Sequence, residues 1–188
     1  MPFPLAYERF GPDGIRAKAD GLLAAYADAY GVDPGDGKAA AFGSRLERAL
    51  GRPGFEAAVA SGPDGAVGGF AFGYPLPEGD ARWWAGLRPE PAAGFAVETG
   101  ARTFVLAEIE VRRAFQGTGT GRRLHDLLLG GRAEERATLA VNPAADAAHA
   151  IYRRWGWESA GQVPGSSGDW FDAYDLFVVP LPIAAVGR

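Results

Sequence analysis

Apolar and polar positions divide this chain into short elements. An apolar stretch from Phe3 to Phe10 allows a first short strand. Leu22, Leu23, Tyr26 and Tyr30 fall near one stripe, which predicts a helix over Ile15–Tyr30. Gly31–Gly37, rich in Gly, Pro and Asp, ends it as a loop. Ala41, Phe42, Leu46, Ala49 and Leu50 form a second stripe over Lys38–Leu50, stopped by Gly51 and Pro53. Phe55–Ser61 and Ala66–Tyr74 read as strands joined by the turn Gly62-Pro63-Asp64-Gly65. Gly68 and Gly69 lie inside the second of these, where glycine marks a bulge or a close backbone approach. Pro75–Gly100 shows no clear period and carries Trp83 and Trp84; a segment of this kind is often functional or a lid.

The densest pattern follows. Phe104–Val111 is an apolar, β-branched run broken only by Glu108 and Glu110, and it predicts a strand. Gln116-Gly117-Thr118-Gly119-Thr120-Gly121 is a glycine-rich turn, and Leu124, Leu127 and Leu128 then recur at helical spacing. Arg136–Val141 is a further strand. Asn142-Pro143 reads as an N-cap and first helical residue for a stripe of Ala147, Ala148, Ile151, Tyr152 and Trp155, stopped by Gly156. Trp157–Gln162 and Trp170–Val179 are the last strands, with a loop at Gly165–Gly168 between them. Helices first, then mixed strands with two crossovers, predict a single α/β (α+β) domain over 1–188. Its sheet is expected to be central and mostly antiparallel, of six to seven strands, with helices on both faces.

Composition narrows the class. The chain has 188 residues, 47% of them hydrophobic and 22% charged, which is the globular range. Net charge is −4, so no general basic character attracts nucleic acid. There is no cysteine, hence no disulfide framework and no thiol nucleophile, and two isolated histidines give no reason to expect a metal centre. No apolar run approaches the roughly 20 residues of a membrane span. The N-terminus lacks the pattern of a signal peptide. A cytoplasmic protein is the expectation.

Against that acidic background Arg112, Arg113, Arg122 and Arg123 cluster around the glycine turn. A turn that opens a helix leaves backbone N–H groups unpaired, and the helix dipole favours negative charge there. Glycines allow positive φ and close approach of a phosphate. The stretch therefore reads as an anion site, with a pyrophosphate as the natural ligand. It is not a P-loop, because no Lys is present. It is not a dinucleotide fingerprint, because the third glycine would fall on Arg122.

The spacing Gln116-x-x-Gly119-x-Gly121, five residues after Val111, resembles the acetyl-CoA motif of the GNAT superfamily of N-acetyltransferases. The family's second signature, Asn-x-x-Ala-x-x-x-Tyr-x-x-x-Gly-Phe, is similar to the run in which Ala148, Tyr152, Gly156 and Trp157 fall in register. Ala145 stands where the family has Asn, and Asn142 is the candidate to replace it. The double Trp also resembles a group of acetyltransferases common in actinobacteria.

The resemblance implies acetyl-CoA as cosubstrate and a primary amine as acceptor, by direct attack in a ternary complex. It implies that Gly117, Thr118, Gly119, Thr120, Gly121 and Arg122, with Gln116, hold the pyrophosphate. Backbone groups of Ile109 and Val111 would pair with the pantetheine arm. Tyr152 would protonate the leaving thiolate, or else is a core tyrosine with a bonded hydroxyl.

Glu108 and Glu110 share one strand face by alternation. Two carboxylates so close repel each other and, where partly buried, one should have a raised pKa, which suits a base near neutral pH. Glu108 holds the family's base position and Glu110 is second, unless both bind Arg112 or another arginine. Tyr26, Tyr30, Trp83 and Trp84 are the candidate acceptor-pocket walls. An acidic floor with aromatic walls suits a small amine or an aminoglycoside-like cation. A homodimer is a further expectation, and a non-catalytic CoA-binding or regulatory module on the same scaffold is the alternative.

Overall fold

The structure is a computed structural model that describes residues 4–167 and 169–183. Phe3 and Gly168, the first residue of the expected first strand and the last of the expected loop, lie outside the described residues. The described residues form seven strands: β1 (Ala6–Phe10), β2 (Glu56–Ser61), β3 (Val67–Pro75), β4 (Thr103–Val111), β5 (Arg136–Val141), β6 (Glu158–Pro164) and β7 (Ala173–Pro180). They form one sheet in the order β1-β2-β3-β4-β5-β7-β6. The pairs β1–β2, β2–β3, β5–β7 and β6–β7 run antiparallel, and β4–β5 runs parallel. Five helices accompany the sheet: α1 (Pro12–Arg16), α2 (Ala19–Tyr30), α3 (Gly37–Leu50), α4 (Thr120–Leu129) and α5 (Asp146–Arg154). Contacts gather the chain into two compact units, residues 1–74 with 106–132, and 75–105 with 133–188.

In the first unit the core lies between α2, α3 and one face of β2 and β3. Leu22, Tyr26, Phe42, Leu46, Val59, Phe70 and Phe72 fill it. Tyr26 stacks on Phe42 with centroids 4.3 Å apart and planes 11° from parallel, the offset kind of packing aromatic pairs favour. The opposite face receives α4. A Cβ on Gly69 would lie 3.1 Å from Leu124 and 3.0 Å from the Glu110 carbonyl, so any side chain there would push these neighbours back by a few tenths of an ångström. Gly68 is the extra residue where the β2–β3 register shifts. Both readings of the paired glycines, bulge and close approach, therefore occur.

Local signals place the ends. α2 stops at Gly31, with φ 65°, whose N–H bonds back to Asp28. Asp36 caps α3 by accepting from the Lys38 amide at 2.7 Å. The expected helix over Ile15–Tyr30 is instead two helices, broken at Ala17–Lys18.

In the second unit β4 pairs with β5 over Thr103–Val105, where the register ends, and β5 pairs with β7 along its whole length. Asn142 does not cap α5. Its side chain accepts from the Ala144 amide at 3.0 Å and closes a turn, and the helix starts after Ala145 with no side-chain cap. β6 runs two residues further than expected, to Pro164, and β7 begins only at Ala173.

Candidate active site

Glu108 and Glu110 point to the same side of β4, as alternation requires, and both meet side chains from α2 and α3. Arg45 approaches Glu108 with two nitrogens, at 3.2 Å and 3.5 Å. The same guanidinium donates to the Tyr26 hydroxyl at 3.3 Å. Glu110 has no arginine of its own. It accepts from the Tyr30 hydroxyl at 2.9 Å. The Lys38 ammonium sits 3.7 Å above the centre of the Tyr30 ring, a cation–π placement.

These surroundings separate the two carboxyls. Burial pushes the Glu108 pKa up, and Arg45 pulls against it without cancelling it. Burial and the charge of Glu108 push Glu110 up to about 8, although Tyr30, Lys38 and Arg45 oppose this. Burial, then the charge of Glu110, raises Tyr30, so its phenol stays protonated and remains a donor. A carboxyl that titrates near neutrality can take a proton from an amine and give it back to water.

The glycine turn opens α4. Gly117 has φ 73° and Gly119 has φ 85°, and a Cβ on either would meet nothing within 4 Å. Gly119 is the N-cap and supplies no side-chain cap. The first-turn amides of α4 lie where a helix leaves its N–H groups without an intrahelical acceptor. The hydroxyls of the turn brace it from within. Thr118 donates to the Phe115 carbonyl at 2.6 Å and lies 2.9 Å from the Thr120 hydroxyl, which also accepts from Tyr7 at 3.2 Å.

Three of the four arginine side chains are engaged inside the unit: Arg112 on the Val67 carbonyl, Arg122 on Asp126 and Arg123 over the Tyr7 ring. Arg112 is thus not the partner of either glutamate. The Gln116 amide donates to the Val111 carbonyl at 2.9 Å and pins the end of the strand to the turn. An anion bound at this turn would rest on main-chain N–H groups more than on arginine charge.

Tyr26, Tyr30, Glu108 and Glu110 are thus brought into one cluster within the first unit. Trp83, Trp84, Asn142 and Tyr152 stand in the second. There Trp84 is 3% exposed and donates to Glu98 at 2.8 Å, and Trp83 donates to the Thr138 hydroxyl at 3.1 Å. Tyr152 packs edge-on against Trp155 and Trp157. His125 and His149 are buried, beside Asp126 and Asp175 respectively.

Sequence reading missed Arg45 and Lys38. A signal was available. Lys38, Phe42 and Arg45 stand at i, i+4 and i+7, so two cations share a helix face with a core phenylalanine. A cation on an apolar stripe needs a buried anion.

No protein-family model matches the chain, nor does any curated protein. Solved structures do match. An aminoglycoside 6'-acetyltransferase type Ii superposes with a TM-score of 0.63 at 16% identity, over 97% of this chain and 99% of that one. The chain has the fold of the GNAT acetyltransferases. A GCN5-related N-acetyltransferase from Kribbella flavida shares the GNAT fold at a TM-score of 0.59 and 20% identity, over 94% of this chain and 98% of its own. A nourseothricin acetyltransferase aligns at 26% identity and a TM-score of 0.50, over 69% of this chain and 67% of that one.

Proposed function

We propose that this GNAT-fold chain is an acyl-CoA-dependent N-acetyltransferase that moves an acetyl group to the primary amine of a small molecule or peptide in the cytoplasm. The observation that carries the reading is the turn at 117–120: two left-handed glycines, no side-chain cap and open space at both Cα atoms. The site fits a pyrophosphate because its donors are main-chain amides at a helix start. Gly117 to Arg122 would hold the diphosphate of acetyl-CoA. The main chain at Ile109 and the Val111 amide would meet the pantetheine arm, the Val111 carbonyl being already engaged by Gln116.

Bound acetyl-CoA supplies a thioester carbon; the amine forms a C–N bond to it, the C–S bond breaks and the thiol leaves. Glu110, not Glu108, is the group we assign to accept the amine proton. Glu108 is held by Arg45, whereas Glu110 accepts its hydrogen bond from the Tyr30 phenol and titrates at about 8. The second reading, a CoA-binding module without transfer, draws on Ala145, which heads α5 with no side-chain cap where the family's Asn would stand.

Calorimetry with acetyl-CoA tests the proposal. Binding at micromolar to low millimolar ligand is expected, and Gly119→Glu should abolish it by adding a side chain and a negative charge at a φ of 85°. Equal affinity in wild type and variant would move the cofactor elsewhere.

A further inference from the structure

The carboxylates suggest an acidic floor that would welcome a polycation, but the cations around them reverse that expectation. Glu108 and Glu110 are answered by Arg45 and Lys38, both from α3. The cluster is therefore neutral with Glu110 ionised, and it is net positive whenever Glu110 holds a proton. The two cations are not equivalent. Arg45 is paired, with Glu108 on two nitrogens and Tyr26 on one of them. Lys38 is not: its ammonium rests on the face of Tyr30, and among the described residues it makes no ion pair. A single phenol ring thus carries a cation over its face and, at its hydroxyl, the carboxyl assigned as base. Tyr30 as a residue is 45% exposed, so a ligand can approach it from solvent.

We propose that the acceptor is a small amine bearing its own anionic group, a carboxylate or a phosphate, which Lys38 holds while the amine meets Glu110. The proposal rests on the acetyltransferase reading above and deepens it. The groups that face Glu110 are Tyr26 and Tyr30 from α2, Lys38 and Arg45 from α3, and Glu108 from its own strand. Among these Lys38 is the one charge without an opposite partner in contact. An anionic substrate would complete it. A diamine or polyamine would add cations beside Lys38 and Arg45, and like charges at an interface are selected against.

The test compares matched probes: ethanolamine, phosphoethanolamine and putrescine, each with acetyl-CoA, read by thiol release. Phosphoethanolamine should exceed ethanolamine in kcat/KM by about tenfold or more, the effect of one charge-assisted contact, and putrescine should fall below both. Lys38→Gln should remove that gap, Lys38→Arg should keep it, and calorimetry should show acetyl-CoA binding unchanged in both. Equal rates for the three probes, zero included, or a preference for putrescine, overturns the proposal. Failure of wild-type protein to bind acetyl-CoA is a different result: it removes the parent reading.

Discussion

Each unit of the molecule sets an arginine against a glutamate, one pair buried and one half-buried, and the two pairs behave differently. In the second unit Glu98 Oε1 accepts from the Trp84 indole at 2.8 Å, the Thr103 hydroxyl at 2.9 Å and Arg136 at 3.1 Å. Arg136 also bonds the Phe95 carbonyl and lies over the rings of Trp84 and Phe95. One cation meets one anion, and their side chains are 11% and 0% exposed. The arrangement fixes the irregular segment after β3 to the start of β4 and β5, and leaves no charge over.

In the first unit Arg45 and Glu108 make a comparable pair, with side chains 33% and 13% exposed. Two residues further along the strand lies a second carboxyl that Arg45 does not reach by hydrogen bond. Burial plus the Glu108 charge then leave Glu110 titrating at about 8. The difference teaches that a buried ion pair does not mark a site. An extra ionisable group beside a completed pair does, because it carries the unbalanced charge.

The comparison breaks first at Glu110. Glu110→Gln should lower turnover by roughly 10²–10⁴-fold, the usual contribution of a general base, with acetyl-CoA affinity unchanged. The wild-type rate should rise with pH through about 8, as the carboxyl loses its proton, and the variant should lack that limb. An intact limb in the variant would place the base elsewhere. Next comes Glu98→Ala, which strands Arg136 and should cost about 3–5 kcal/mol of stability. A thermal melt reads this, while turnover per folded molecule stays level.

Smaller is the pH dependence of stability. Glu110 is raised above its ordinary value of 4.5, so its protonated form stabilises the fold below that pH, and the contribution is lost as pH rises towards about 8. Denaturant midpoints should therefore fall across that window in wild type and flatten in Glu110→Gln. Smallest is Tyr30→Phe. The phenol hydrogen bond lowers the Glu110 pKa, so its loss should move the acid limb of the rate to higher pH. Movement in the opposite direction would mean that the bond favours the neutral acid.

Much of this was legible locally. The apolar run over Phe104–Val111, the turn and the leucine stripe located β4, the open turn and α4 within a residue or so. Asn142-Pro143 misled, since Asn142 caps a turn within 142–144 and the helix begins only at Asp146. Capping chemistry suits both structures, so residue type alone cannot choose between them. The four arginines looked like a phosphate clamp, yet three are engaged by neighbours, one of them the Val67 carbonyl on β3.

By itself the sequence determined what depends on neighbours along the chain. Period fixes strand or helix, glycine permits the two positive φ angles of the turn, and alternation puts Glu108 and Glu110 on one face. Only the tertiary structure decided which carboxyl would be balanced. Arg45 comes to Glu108 across 63 residues, and Tyr30 comes to Glu110 across 80. Proton affinity depends on burial and on charges a few ångströms away in space, and packing of α2 and α3 against β4 sets both.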